Sequence, residues 1–421
     1  MKKILLLIAV VSAVLAIVLS LPTPKPADVG SDNSFVVGPV NIFDGEKWRD
    51  EKFVVVHEGW ITELSVQRPD LDLPYRETQG QVLIPGLIDA HVHVWGDALA
   101  QSLDFGVTTV IDMFGDPNFL QQHKAARAET QQAKHADIFG AGLLVTAPNG
   151  HGTQYGISVP TLSAPSAAPE AVAERLDSGS DFIKIVYTHA DAVYQHAPSI
   201  SYAELEATIK AAHQAQQVAV VHVADHASAV DAVKAGADGL VHSFFDRPAS
   251  DELVQLMRSN GTFIIPTMAL YEGMLRGELN ETLLTAENIK LPASAQASLN
   301  QSFGNTQFPT HFYDNLLLTT ERLYQAGVPI LAGSDAPNPS TAHGWSLLVE
   351  LEMLQRAGLP LEAVLHAATA APAQAFALPH QGRIAEGMKA DLLLLDADTT
   401  TNLRALFHPQ AVWKNGFEQE S

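Results

Sequence analysis

The sequence predicts an α/β protein, a (β/α)8 TIM barrel with a small β-sandwich lobe built from both chain ends. Three observations carry this reading. Short apolar runs of strand character recur through the middle of the chain, separated by longer Ala-rich stretches of helical character, and eight such units can be counted. Both ends share another texture, short β-like runs punctuated by turn pairs such as Asp44-Gly45 and Glu58-Gly59. Residues able to bind a metal fall at or near the ends of several central runs, which a barrel would gather at one mouth. A length of 421 residues suits one large core with an added small domain.

Taken in order, residues 1–20 open with Met1-Lys2-Lys3, run apolar from 4 to 19, and lead into a Pro-rich exit at Pro22, Pro24 and Pro26. This is the composition of a signal peptide, with Val18-Leu19-Ser20 as its cleavage motif, or of an N-terminal membrane anchor. The first reading places the chain outside the cytoplasm, periplasmic or secreted, and the second holds it at a membrane by its N-terminus. Residues 21–34 read as a polar linker, and 35–83 as the N-terminal part of the β-lobe, with Phe35-Val36-Val37 and Phe53-Val54-Val55-Val56 as strands. The barrel is expected over 84–379. Its first strand ends in His91-Val92-His93, and the other seven are centred on 108–111, 139–145, 182–187, 218–222, 239–242, 263–267 and 329–335. The long interval from 271 to about 324 is expected to add helices near the mouth. Residues 380–421 return to β texture through Gly382-Arg383-Ile384, the run 391–396 and the run 411–416, completing the lobe.

With 25 basic against 47 acidic residues and a formal charge of -22, the surface would repel nucleic acid and anionic lipid. There is no cysteine, which removes disulfides, thiolate metal sites and cysteine nucleophiles together. Any metal must therefore sit on histidine and carboxylate-like ligands. Ser334 lacks the Gly-x-Ser-x-Gly setting of a nucleophile elbow, so serine hydrolase chemistry is unsupported.

The candidate ligands at strand ends are His91 and His93 on the first strand, Lys184 on the fourth, His222 on the fifth, His242 on the sixth and Asp335 on the eighth. Side chains at i and i+2 of a strand share a face, so both rings of His-x-His can reach one ion. Lys184 lies inside an otherwise apolar run. Desolvation there favours the neutral amine, which can react with CO2 to give an anionic two-oxygen carbamate.

Through the run from Pro85 to His93, Asp181-Phe182-Ile183-Lys184, His222, Gly239-Leu240-Val241-His242, Ala332-Gly333-Ser334-Asp335-Ala336 and the returning segment from Gly382 to Leu392, the sequence resembles the amidohydrolase superfamily. The likeness is to its imidazolonepropionase-like and Xaa-Pro dipeptidase-like members. It implies that His91, His93 and Asp335 hold one divalent metal, that His222 and His242 hold a second, and that Lys184 bridges them as a carbamate. Zinc is the first candidate, and Mn2+, Fe2+ or Co2+ suit the same donors.

The implied reaction is hydrolysis of an amide or related C–N bond, in a dipeptide, an N-acyl compound or a cyclic amide, by a metal-bridging hydroxide with Asp335 as general acid and base. Substrate contacts are expected from His151 and Tyr155 in the loop after strand three, Tyr187 after strand four, Arg247 after strand six and His343 after strand eight. The sequence departs from the dipeptidase-like pattern, with Ala224 where that subgroup has a second histidine after strand five. Other readings stay open: a mononuclear deaminase or a lactone or ester hydrolase of the same superfamily, and a non-catalytic exported binding protein. Substrate and oligomeric state are not legible.

Overall fold

The structure, a computed structural model, describes residues 33–131, 133–192, 197–303 and 309–419. The expected export segment, and the linker up to residue 32, lie outside these. Among the described residues no helix is long and apolar enough to cross a membrane.

Among the described residues sixteen strands follow one another along the chain. They are β1 (Phe35–Gly38), β2 (Asn41–Ile42), β3 (Phe53–His57), β4 (Trp60–Ser65), β5 (Tyr75–Glu77), β6 (Val82–Pro85), β7 (Leu87–Val92), β8 (Val107–Asp112), β9 (Asp137–Gly140), β10 (Ile183–Val186), β11 (Ala219–His222), β12 (Gly239–Val241), β13 (Phe263–Ile265), β14 (Leu392–Leu395), β15 (Ala411–Lys414) and β16 (Phe417–Glu418). The chain ends do meet in one sheet, of order β16-β15-β14-β6-β2, in which β14 runs antiparallel to β6 from Leu392↔Pro85 to Leu395↔Val82. A second sheet, β4-β3-β1-β5, shares an apolar cluster with it, in which Val37, Val54 and Ile61 meet Leu83, Leu392 and Trp413.

The middle of the chain is parallel, as strands joined by helices must be. Instead of eight regular strands in one sheet, it holds a three-stranded sheet β7-β8-β9 and a four-stranded sheet β10-β11-β12-β13. Single parallel bridges extend them: Val145↔Ile185 beyond β9, Ile264↔Ile330 beside β13, and Val92↔Ala336 beside β7. The expected eighth strand is thus an irregular run, held by bonds such as Leu331 N to Ile264 O at 2.9 Å and Ala90 N to Ala332 O at 2.9 Å. At its end Asp335 turns the chain out of β geometry, at φ 57°. Gly333 lets the run approach closely, because a Cβ there would lie 2.8 Å from Cβ of His91.

Alternation divides the strands between two apolar layers. Ile183, Ile185, Ala219, Val221 and Ile264 pack in the cluster that includes the surrounding helices, whereas Phe182, Val220, Phe263 and Ile265 belong to an inner cluster. Leu378 and the helix Ala370–Ala375 join this inner cluster, and the Phe376 ring packs 4.9 Å from Phe182, tilted by 58°. Between β13 and the irregular run lie four helices, Met268–Leu275, Leu279–Ala286, Ala293–Leu299 and His311–Gln325. These supply the helical addition expected there.

Candidate metal centre

His91, His93, Lys184, His222, His242 and Asp335 all line one cavity of about 620 Å³. Two of them arrive by strand alternation. Lys184 follows inward-facing Phe182 by two residues, and His222 follows Val220 in the same way. In the parallel register His222 stands level with Val186 and Val241. His242 and Asp335 are aimed by another device, left-handed backbone at φ 74° and 57°, which non-glycine residues seldom adopt. Such strain concentrates at functional sites.

His91 is anchored through Asp89, whose Oδ1 accepts from the backbone N–H groups of His91 at 3.2 Å and Ser334 at 2.9 Å. Oδ2 of Asp89 accepts from the Ser334 hydroxyl at 2.6 Å. Burial pushes the Asp89 carboxyl up to about 7, although its bonds from Ser334 and His91 oppose the rise. This residue ties the first strand to the irregular run, and sequence reading missed it even though it stands two positions before the His-x-His motif.

Nδ1 of His93 lies 3.1 Å from the carbonyl oxygen of Phe114. A carbonyl only accepts, so Nδ1 carries the proton and Nε2 faces the cavity as the second ring nitrogen. Nε2 of His93 and Nε2 of His91 each lie 3.2 Å from the same oxygen, Oδ1 of Asp335. Four ligands around one tetrahedral zinc, about 2.0 to 2.2 Å from it, stand roughly 3.3 Å from one another. Neither ring nitrogen of the fully buried His91 has a hydrogen bond within the protein. The donors therefore fit a divalent cation, and among the described residues they form a compact His/Asp group with all ligand atoms within 4.8 Å.

Electrostatics agree with that fit. Burial drives the His91 ring well below its ordinary value, with further lowering from Lys184, so it is neutral. Burial would raise the Asp335 carboxyl, but the His93 hydrogen bond and the neighbouring histidines outweigh it and hold the group below the usual range. For His93 burial opposes protonation while Asp335 favours it, and the balance is upward: this edge attracts a cation, proton or metal. Burial lowers the Lys184 ammonium to about 7 against the pull of Asp335 and Asp112.

The second pair adjoins the first group. The His222 and His242 rings lie 4.6 Å apart at 79°, His242 is 4.7 Å from the His91 ring, and its Nδ1 is 3.8 Å from Oδ2 of Asp335. Nδ1 of His242 also lies 2.8 Å from the Thr267 hydroxyl. Thr267 was not singled out from the sequence, because nothing in the apolar run ending β13 marks it.

The proposed substrate contacts divide. His151 and Tyr155 line the cavity, with His151 stacked 5.0 Å from His222. Tyr187, Arg247 and His343 are absent from the lining. Tyr187 packs in the outer cluster and donates its hydroxyl to Asp231 at 2.7 Å, Arg247 is largely exposed and pairs with Asp246 at 3.0 Å, and His343 is buried, its ring pushed down to about 4 by desolvation and then by His93. Alternation could have flagged Tyr187, which shares the face of Ile183 and Ile185. In the loop after β9, Gly150 is required by its own turn, since a Cβ there would sit 2.3 Å from the Thr146 hydroxyl.

A comparison with curated proteins finds no match. Among solved structures the chain is similar to a Xaa-Pro dipeptidase with bound methionine, at 21% identity and TM-score 0.71 over 92% of this chain and 100% of that one. It is also similar to a putative prolidase from Bifidobacterium longum, at 24% identity and TM-score 0.73 over 93% and 96% of the two chains. Molinate hydrolase aligns at 17% identity and TM-score 0.70 over 92% and 95%. At such identities these likenesses speak for the fold. Residues 82–417, which carry every strand-end ligand described above, match the Amidohydrolase family, and the chain belongs to that family of divalent-metal hydrolases acting on C–N bonds.

Proposed function

We propose that the protein is a metal-dependent hydrolase that cleaves an amide or related C–N bond in a small molecule, with Asp335 as general acid and base. The observation that carries this is the approach of His91 Nε2 and His93 Nε2 to one oxygen of buried Asp335, each at 3.2 Å. In this reading the two parallel sheets and the bridged run 330–336 work as one (β/α)8 barrel, and the two terminal sheets as a β-sandwich beside it. His91, His93 and Asp335 would hold one ion, His222 and His242 would serve a second, and Lys184, carbamylated, would supply an anionic ligand to the centre. Zinc leads the candidates.

Bound divalent ions would polarise the scissile carbonyl and lower the pKa of a water from 15.7 to about 7. The Asp335 carboxylate, ionised in its buried setting, takes the proton of the attacking water and delivers it to the departing nitrogen as the C–N bond breaks. His151, stacked on His222, is placed to donate to the carbonyl oxygen. Lys184, with an amine near half neutral at pH 7, adds to CO2 through its nitrogen and releases one proton.

A single-ion centre is a second reading, favoured by the compactness of the His91, His93 and Asp335 group alone. Metal analysis separates the two: about two ions per chain, and a carbamate 13C signal from labelled bicarbonate that Lys184→Gln abolishes, support the binuclear form. Exhaustive chelation and Asp335→Asn are each expected to lower kcat by at least about a hundredfold, the scale of a lost general acid/base. Full turnover after chelation would sink the proposal.

A further inference from the structure

The cavity is asymmetric in chemistry. Its lining holds the six polar residues of the centre together with two separate apolar clusters. One cluster holds Phe114, Leu144 and Val186. A separate cluster in the lining holds Phe245 and Tyr271, ring centroids 5.4 Å apart, with Met274 beside them. At the rim Trp95 and Tyr155 remain 43% and 51% exposed, large rings left open to solvent at the entrance of a site.

Among the described lining residues Lys184 is the one Lys or Arg, and it belongs to the centre. The arginines on the neighbouring segments are engaged elsewhere. Arg247 pairs with Asp246 at 3.0 Å, and Arg276 pairs with Glu278 at 3.0 Å while lying over the Tyr313 ring. The internal stretches 132, 193–196 and 304–308 contain no Lys or Arg. With the ions of the proposed centre engaged by the scissile group, a substrate carboxylate beside it would thus be desolvated against apolar side chains with no guanidinium or spare ammonium among the described lining residues to receive it, in a chain of net charge -22.

From this juxtaposition of the polar centre, two separate apolar groups with aromatic members and, among the described lining residues, no Lys or Arg besides Lys184, we infer that the substrate is an uncharged molecule with apolar, chiefly aromatic, groups on both sides of the scissile bond, and that molecules with a free carboxylate next to that bond, dipeptides included, are strongly disfavoured. The inference rests on the hydrolase reading only for turnover; the binding preference follows from the lining. Two flanking aromatic groups can each find an apolar cluster, because offset and edge-to-face ring contacts need no charge.

The test compares N-(2-phenylethyl)benzamide with N-benzoylphenylalanine, which differ by one carboxylate beside the same amide. With metal-loaded enzyme, both calorimetric binding and kcat/KM are measured. The neutral amide is expected to be favoured about a hundredfold, the scale of an uncompensated buried charge. Met274→Lys, which adds an ammonium to one cluster, is expected to narrow that ratio. Equal or tighter binding of N-benzoylphenylalanine, or no binding of either, overturns the inference. Preferential binding of the neutral amide without cleavage of either compound leaves the substrate class standing and counts against the hydrolytic reading.

Discussion

Thr267 occupies left-handed backbone at φ 50° and ψ 44°, a conformation that is uncommon for a β-branched residue and costs about 1–3 kcal/mol. Its return is the hydroxyl placed 2.8 Å from Nδ1 of His242, which lets that nitrogen donate and leaves Nε2 for a cation. Thr267→Val keeps the branched shape and removes the acceptor. It is expected to weaken metal retention by about 10–100-fold, measured by chelator competition, while the thermal midpoint of the metal-free protein moves little. Thr267→Ser is expected to restore retention, and a valine variant that holds metal like the parent would show that the threonine only fills space. The same scale explains which ligands were legible. His91 and His93 show in the spacing itself, but the aim of His242 and Asp335 depends on φ values that no residue type there announces.

At the scale of elements, the helix Trp345–Arg356 buries Glu350, whose Oε2 accepts from the Ala269 N–H at 2.7 Å, in the first turn of the helix Met268–Leu275. Burial raises the Glu350 carboxyl well above its ordinary value, against the bond from Ala269, so folding favours its protonated form. An unfolded chain gives up that proton near pH 4.3. The folded state then binds more protons, and this group's stabilising contribution is full below about pH 4.3 and is lost as pH rises through the folded value. Glu350→Gln is therefore expected to fold, to be at least as stable as the parent at neutral pH, and to flatten this part of the stability profile in urea titrations run from pH 4 to 8. A profile unchanged by the substitution would mean that Glu350 ionises normally. Helix positions such as this were invisible in the sequence, where a glutamate among apolar residues of a helix reads as solvent-facing.

Across the whole molecule, the terminal sheets are joined to the parallel core by a buried charge cluster. Asp137, at the start of β9, receives Lys389 Nζ at 2.8 Å and Lys414 Nζ at 3.0 Å, and Lys414 also reaches Asp391 at 2.8 Å. Burial alone would raise the Asp137 carboxyl, but Lys414 and Lys389 together hold it below the usual range. The lowered group stabilises the fold above its unfolded value near pH 3.9, and that contribution is lost as pH falls through the folded value. Asp137→Asn leaves two buried ammonium groups without their shared partner, and is expected to cost about 3–5 kcal/mol, read as a lower urea midpoint at pH 7. Near-parental stability would show that Asp391 alone satisfies Lys414. The pairing of the two chain ends was legible from their shared β texture, whereas this cluster was not: its members are separated by up to 277 positions, from 137 to 414, and meet only when the sheet β14-β6 has formed.

What the amino-acid sequence determined by itself is the set of local choices: parallel α/β chemistry from apolar runs alternating with helical stretches, β texture at both ends, and the donor types at the strand ends. Those follow from periodicity and residue chemistry, which act over a few positions. The tertiary structure alone decided direction. It turned Tyr187 toward Asp231 and Arg247 toward Asp246, away from the cavity, put left-handed backbone at Asp335, and set His91 and His93 on one oxygen. Side-chain aim depends on backbone dihedrals and on neighbours distant in sequence, and these exist only once the strands have come together.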